Sequence, residues 1–172
     1  LLQNEIVDVI DSSTAEKQDI RPLKFLLLNL MPKKLETEVQ FARLLGASPL
    51  QIELTLMTTE TYSPRNTKKE HLIEFYKTLD DINNNFYDVL IITGAPVETV
   101  PFQEVKYWNE LKEIISWSSK NIFRRIGVCW GAQALLKLLH NVEKHSMEKK
   151  LFGVFDHNLN QEKQYRLMQG FI

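Results

Sequence analysis

Cys129 lies midway between two glycines, in Gly127-Val128-Cys129-Trp130-Gly131. This is the G-x-nucleophile-x-G spacing of a nucleophile elbow, with a thiol in place of the usual serine hydroxyl. The run before it, Arg125-Ile-Gly-Val128, lacks polar alternation and reads as a strand buried on both faces. Ala132, Leu135, Leu136 and Leu139 follow at helical spacing. A sharp strand-to-helix turn needs small residues beside the nucleophile, so that backbone can pass close beneath it. The thiol then sits at a helix N-terminus, where the dipole and free N–H groups favour a thiolate. The same N–H groups are donors for an oxyanion. A cysteine without this context reads as a buried strand-end side chain. The paired glycines and the junction favour the nucleophile.

Other residues with chemical potential cluster after two further apolar runs. Thr93-Gly94-Ala95-Pro96 closes one of them, and its small residues allow close backbone approach and an oxyanion N–H beside Cys129. An ordinary tight turn is the alternative there. Glu98 can face the same crevice, where a carboxylate repels an anionic substrate group, or it can be a solvated loop residue. Lys33 and Lys34 follow Met31-Pro32 and suit either anion binding or a charged helix start. Lys149 and Lys150 precede an apolar run and are equally ambiguous. Of the four histidines, His71 falls on a helix away from the crevice. His140 lies about three turns from Cys129, too far at roughly 1.5 Å per residue. His145 is in a loop, and His157 is the positional candidate for a base.

The elements that must position these groups alternate between strand and helix. Strands are expected over residues 4–10, 24–30, 51–57 (near an edge, since it alternates), 87–93, the run into Cys129, and 151–155. Helices are expected over 34–45, 68–78 and 103–119, and after Cys129. The first turns Leu35, Val39, Ala42 and Leu45 inward and ends at Gly46 as C-cap. The second turns Leu72, Phe75, Tyr76 and Leu79 inward, and a polar turn follows over 80–85. The third carries Val105, Trp108, Leu111, Ile114 and Ile115 on one stripe, which reads as core. Polar loops are expected over 11–21 and around Ser63-Pro64. The alternation predicts an α/β fold, a doubly wound and mostly parallel sheet with helices on both faces. Its ligand site lies beyond the carboxyl ends of the strands, where loops 29–36, 93–102 and 129–133 meet.

Gross composition narrows the function classes. A chain of 172 residues fits one domain with a sizeable core. A net charge of −1 gives no electrostatic case for nucleic acid. A single cysteine excludes an internal disulfide framework and suits a cytoplasmic setting. No apolar run reaches membrane-spanning length, no basic-then-apolar leader opens the sequence, and no Cys/His cluster has metal-ligand spacing.

Several stretches taken together resemble the homoserine O-acyltransferase (homoserine transsuccinylase) family. They are Asp19-Ile-Arg-Pro-Leu-Lys24, Leu28-Asn-Leu-Met-Pro-Lys-Lys34 with Glu36-Thr-Glu38, Ser48-Pro-Leu-Gln51, Ile92-Thr-Gly-Ala-Pro-Val-Glu98, Val128-Cys-Trp-Gly-Ala-Gln133 and Lys150-Leu-Phe-Gly-Val154. The resemblance runs from about residue 15 onward. It implies a fold like that of class I glutamine amidotransferases and a ping-pong acyl transfer. Cys129 would attack an acyl-CoA thioester and hold the acyl group. The hydroxyl of L-homoserine would then accept it, a step of methionine biosynthesis. By the same resemblance, backbone at Ala95 and Trp130 forms the oxyanion hole, Lys150 binds substrate, and Lys34 assists substrate or oxyanion binding. Glu98 occupies a donor-selecting position, where glycine admits a succinyl carboxylate and glutamate excludes it. Acetyl-CoA is therefore the expected donor. No bound cofactor or metal is implied, the expected partners are the small-molecule substrates, and a homodimer is left open.

Family members continue beyond this length, and their catalytic His, with a Glu two residues later, lies in that continuation. The expectation is a single amidotransferase-like acyltransferase domain over 1–172 that lacks its C-terminal part. Three alternatives stand beside it. A glutaminase or amidase would use the same elbow, although Asn29-Leu-Met-Pro-Lys-Lys34 argues against it. A catalytically inactive binding domain would account for the missing His-x-Glu. A succinyl donor, or serine as acceptor, would keep the scaffold and change the substrate. Serine and homoserine differ by one methylene, a contact that discriminates by only about 1–3 kcal/mol.

Overall fold

A computed structural model describes residues 20–61, 67–149 and 151–156. The expected strand over 4–10, the loop over 11–19, Ser63-Pro64, Lys150 and His157 lie outside the described residues. Five strands form one sheet in the order β3-β2-β1-β4-β5, with every pairing parallel. They are β1 (Leu23–Leu28), β2 (Ile52–Met57), β3 (Tyr76–Lys77), β4 (Tyr87–Ile92) and β5 (Ile122–Gly127). The helices are α1 (Lys34–Gly46), α2 (Lys69–Phe75), α3 (Leu79–Ile82), α4 (Trp108–Asn121) and α5 (Trp130–His140). Helices connect parallel strands, as the expected α/β doubly wound architecture requires. Among the described residues no helix is long and apolar enough to cross a membrane.

The central strands are the most apolar. Leu26, Leu27 and Leu28 of β1, with Leu90, Ile91 and Ile92 of β4, are essentially inaccessible to solvent. Trp108, Leu111, Ile114 and Ile115 of α4 pack into the same core, so the predicted stripe is the buried one. From the central strand β1 the sheet runs outward through β2 and β3 on one side and through β4 and β5 on the other. The chain therefore reverses direction of winding between β1 and β4, which opens a crevice above their carboxyl ends. In register, Leu28 is level with Ile92, and Ile92 with Gly127. The loops after β1, β4 and β5 consequently leave the sheet at one height.

Several elements differ from the sequence reading. The expected helix over 68–78 ends at Phe75, because Tyr76 is extended (φ −100°, ψ 143°) and joins β2 as the short edge strand. Within the expected 80–85 turn, α3 forms, started by the Asp81 carboxylate accepting from the Thr78 N–H at 2.8 Å. Strand β5 is an edge strand among the described residues and is not buried on both faces, with Phe123 72% and Ile126 47% exposed. Helix α4 starts at Trp108, five residues later than expected, after a 3₁₀ turn at Phe102–Glu104. Leu35, on α1, is exposed, and Lys34, Thr37 and Glu38 are buried in its stead. Gly46 is the last helical residue, and Ala47 caps with right-handed geometry. On α5 the inward residues are Trp130, Ala134 and Leu135, whereas Leu136 and Leu139 are exposed. Residues 151–156 form no strand, and Leu151, Phe152, Val154 and Phe155 are exposed. An apolar run becomes a strand only where a sheet edge receives it.

Candidate active site

The turn from β5 into α5 has the geometry that its glycines anticipate. Cys129 has φ 54° and ψ −120°, a left-handed backbone state that costs a non-glycine residue on the order of 1–3 kcal/mol. Hydrogen bonds on both sides hold it there. The Val128 N–H donates to the Ile92 carbonyl at 2.9 Å, and the Gly131 N–H to the Val128 carbonyl at 3.0 Å. The Ala132 and Gln133 N–H groups both donate to the Cys129 carbonyl. A Cβ on Gly127 would lie 2.6 Å from the backbone of Ala132, and one on Gly131 would lie 2.5 Å from the Ile92 carbonyl oxygen. Both positions therefore require glycine because backbone passes against backbone. The result is an exposed thiol at the N-terminus of an eleven-residue helix.

The loop after β4 comes up against that thiol. A Cβ on Gly94 would sit 3.2 Å from Cys129 Cβ and 3.4 Å from its Sγ. Thr93, buried at the end of β4, fixes the loop. Its hydroxyl accepts from the Leu30 N–H at 2.8 Å and donates to the Gly94 carbonyl at 3.0 Å. This ties the loop after β1 to the loop after β4. Ala95 follows, and neither its N–H nor that of Trp130 donates to another group among the described residues. Two backbone donors flanking a thiol are the components of an oxyanion hole.

These loops wall an open crevice of about 510 Å³. Cys129, Gly94, Ala95 and Glu98 line it together with Met31, Gln40 and Phe41. Glu98 is exposed and is the one carboxylate in that lining. The crevice thus combines an apolar wall with a single negative charge near the thiol. Of the three described histidines, none lines it. His140 ends α5, His145 follows that helix, and His71 is on α2.

Lys34 is held differently from its neighbour. Lys33 is at the surface, paired with Glu36 at 3.0 Å. Lys34 is 3% exposed, and its ammonium donates to the Asn29 carbonyl. It is not among the crevice-lining residues. Burial lowers its pKa to about 8, partly opposed by the Glu38 carboxylate. Glu38 in turn accepts from the Tyr76 hydroxyl and lies 3.0 Å from His71 Nε2. Burial, followed by the Glu38 carboxylate, pushes the Tyr76 phenol far above its usual range. Asn29 completes the network by donating to the Tyr76 hydroxyl at 2.9 Å. The sequence reading missed Glu38, Tyr76 and Asn29 as a unit. The available signal was the i, i+4 spacing of Lys34 and Glu38 on one turn of α1.

A sequence profile of the homoserine O-succinyltransferase family matches residues 1–172. A homoserine O-acetyltransferase of Bacillus subtilis (strain 168) is 51% identical over 171 residues, covering 99% of this chain and 56% of the relative. One from Clostridium novyi (strain NT) is 48% identical over 170 residues, 99% of this chain and 56% of the relative. One from Allorhizobium ampelinum is 51% identical over 156 residues, 91% of this chain and 50% of the relative. The chain spans about half the length of the curated relatives it matches. With its thiol elbow and the Thr93–Pro96 loop against it, the chain belongs to the homoserine O-succinyltransferase family.

Proposed function

We propose that this chain supplies the nucleophile and the oxyanion hole of an enzyme that transfers an acetyl group from acetyl-CoA to the hydroxyl of L-homoserine. The observation that carries the reading is the exposed Cys129 thiol, held at a left-handed turn with the Gly94–Ala95 loop against it. The names of the relatives support the acceptor and the donor.

In the first half-reaction the Cys129 thiolate attacks the thioester carbonyl. A carbon–sulfur bond forms, and the carbonyl electron pair moves to oxygen, where the Ala95 and Trp130 N–H groups receive it. Collapse of the tetrahedral intermediate breaks the bond to CoA, which leaves as a thiolate and takes up a proton. In the second half-reaction the homoserine hydroxyl attacks the Cys129 acyl thioester and loses its proton. The O-acyl ester departs and the Cys129 thiolate is restored. The group that gives the proton to the departing CoA thiolate and takes one from the homoserine hydroxyl is assigned to a residue other than His71, His140 and His145. Lys150 is assigned to substrate binding. Lys34, turned inward to Asn29, would act by holding the loop after β1.

Glu98 sets the donor. Its carboxylate lines the same crevice as the thiol, so a succinyl carboxylate would meet a like charge there, whereas an acetyl methyl would not. Steady-state comparison of acetyl-CoA and succinyl-CoA tests this. The protein should prefer acetyl-CoA, and Glu98→Gly should move preference toward succinyl-CoA. Preference for succinyl-CoA in the unaltered protein would overturn the assignment.

A further inference from the structure

The loop that carries Glu98 is held by a group from a distant part of the chain. The Lys144 ammonium donates to the carbonyls of Glu98 at 2.7 Å, Val100 at 2.5 Å and Val97 at 3.4 Å. It also sits 4.8 Å from the centroid of the Phe102 ring. An ammonium has three N–H donors, and here all three are directed at one turn of backbone. Within that turn the internal hydrogen bonds are few. The Val97 N–H donates to the Ala95 carbonyl and the Val100 N–H to the Val97 carbonyl. Glu98 lies between these two bonds, so its backbone is fixed chiefly through its carbonyl.

Lys144 is itself well anchored. Helix α5, which starts beside Cys129, ends in a left-handed Asn141 (φ 53°). The Asn141 N–H donates to the Lys137 carbonyl, the αL type of helix closure, and the Val142 N–H donates to the Leu136 carbonyl. Lys137 then reaches forward to Asn141 Oδ1 at 2.9 Å and to the Glu143 carboxylate. The chain leaves the helix in one direction and delivers Lys144 to the 97–100 turn. The helix capped at its N-terminus by Cys129 is thereby joined, through the segment that follows its last turn, to the loop that carries Glu98.

We propose that Lys144 is a positioning residue for donor selection, clamping the 97–100 turn so that the Glu98 carboxylate stays in the crevice beside Cys129. The inference rests on Glu98 as the donor-selecting residue. An unclamped turn lets that carboxylate move away from the crevice, and the like-charge penalty against a succinyl donor falls. Lys144 does not line the crevice, so the acetyl half-reaction itself should be left intact.

The test measures acylation of Cys129 by acetyl-CoA and by succinyl-CoA in six forms of the protein: unaltered, Lys144→Met, Lys144→Arg, Lys144→Gln, Glu98→Gly and the Lys144→Met, Glu98→Gly double variant. Lys144→Met should lower the acetyl-to-succinyl rate ratio by about tenfold, mainly by raising the succinyl rate. The double variant should match Glu98→Gly alone, because without the Glu98 carboxylate the clamp has no charge left to position. Lys144→Arg should restore much of the ratio, and Lys144→Gln, a milder change, should give an intermediate value. If Glu98→Gly shifts the ratio and Lys144→Met does not, the clamp is refuted and the Glu98 assignment stands. Equal slowing with both donors in Lys144→Met, or additive shifts in the double variant, also refutes the clamp. If Glu98→Gly leaves the ratio unchanged, the donor assignment fails and takes this inference with it.

Discussion

At the scale of single residues, two glycines near the thiol have separable jobs. A Cβ on Gly131 would meet the Ile92 and Thr93 carbonyl oxygens at 2.5 and 2.6 Å, and backbone cannot yield. Gly131→Ala should therefore cost about 1–3 kcal/mol of stability, read as a lower urea midpoint. A Cβ on Gly94 would meet side chains and no backbone: Cys129 at 3.2 Å and Met31 at 3.8 Å. Gly94→Ala should leave the urea midpoint nearly unchanged and slow acylation of Cys129, because the added methyl crowds the reacting sulfur. Lys34 makes a different prediction. Its folded pKa of about 8 lies below the ordinary 10.5, so between these values the unfolded chain binds the proton more tightly. Stability should rise with pH from about 8 to 10.5 on this account and should be flat below. Lys34→Met should remove that rise, which urea titrations at a series of pH values would detect.

At the scale of elements, β1 and β4 do most of the positioning. Their apolar runs were legible because a strand buried on both faces needs no alternation. The elbow was legible for a related reason, since few residues other than glycine let backbone pass so close. Other elements were not legible. The 68–78 stretch has helical periodicity, yet Tyr76 leaves the helix to place its hydroxyl against Glu38 and Asn29. The inward face of α1 was misread because Lys34 and Glu38 are charged residues inside. A buried polar network depends on partners from four elements, and no local pattern encodes it. Thr93 is the junction between β1 and β4 at the site. Thr93→Val should strand the buried Leu30 N–H at a cost of about 1–3 kcal/mol, visible in thermal unfolding, and should slow Cys129 acylation. Unchanged acylation with lowered stability would mean that the tie serves folding alone.

At the scale of the whole molecule, three loops leave three strands at one level, and each brings one part of the chemistry. In the proposed reaction the loop after β1 brings Met31 to the crevice, the loop after β4 brings an oxyanion donor and a charge, and the turn after β5 brings the nucleophile. The switch in winding between β1 and β4 creates the crevice, and the level register aligns its parts. The central claim is that Cys129 accepts the acyl group. Intact mass spectrometry of the protein after brief mixing with acetyl-CoA tests it most directly. One acetyl adduct is expected, located at Cys129 by peptide mapping and lost in Cys129→Ala. An adduct that persists in Cys129→Ala, or acyl transfer to homoserine by that variant at the unaltered rate, would contradict it.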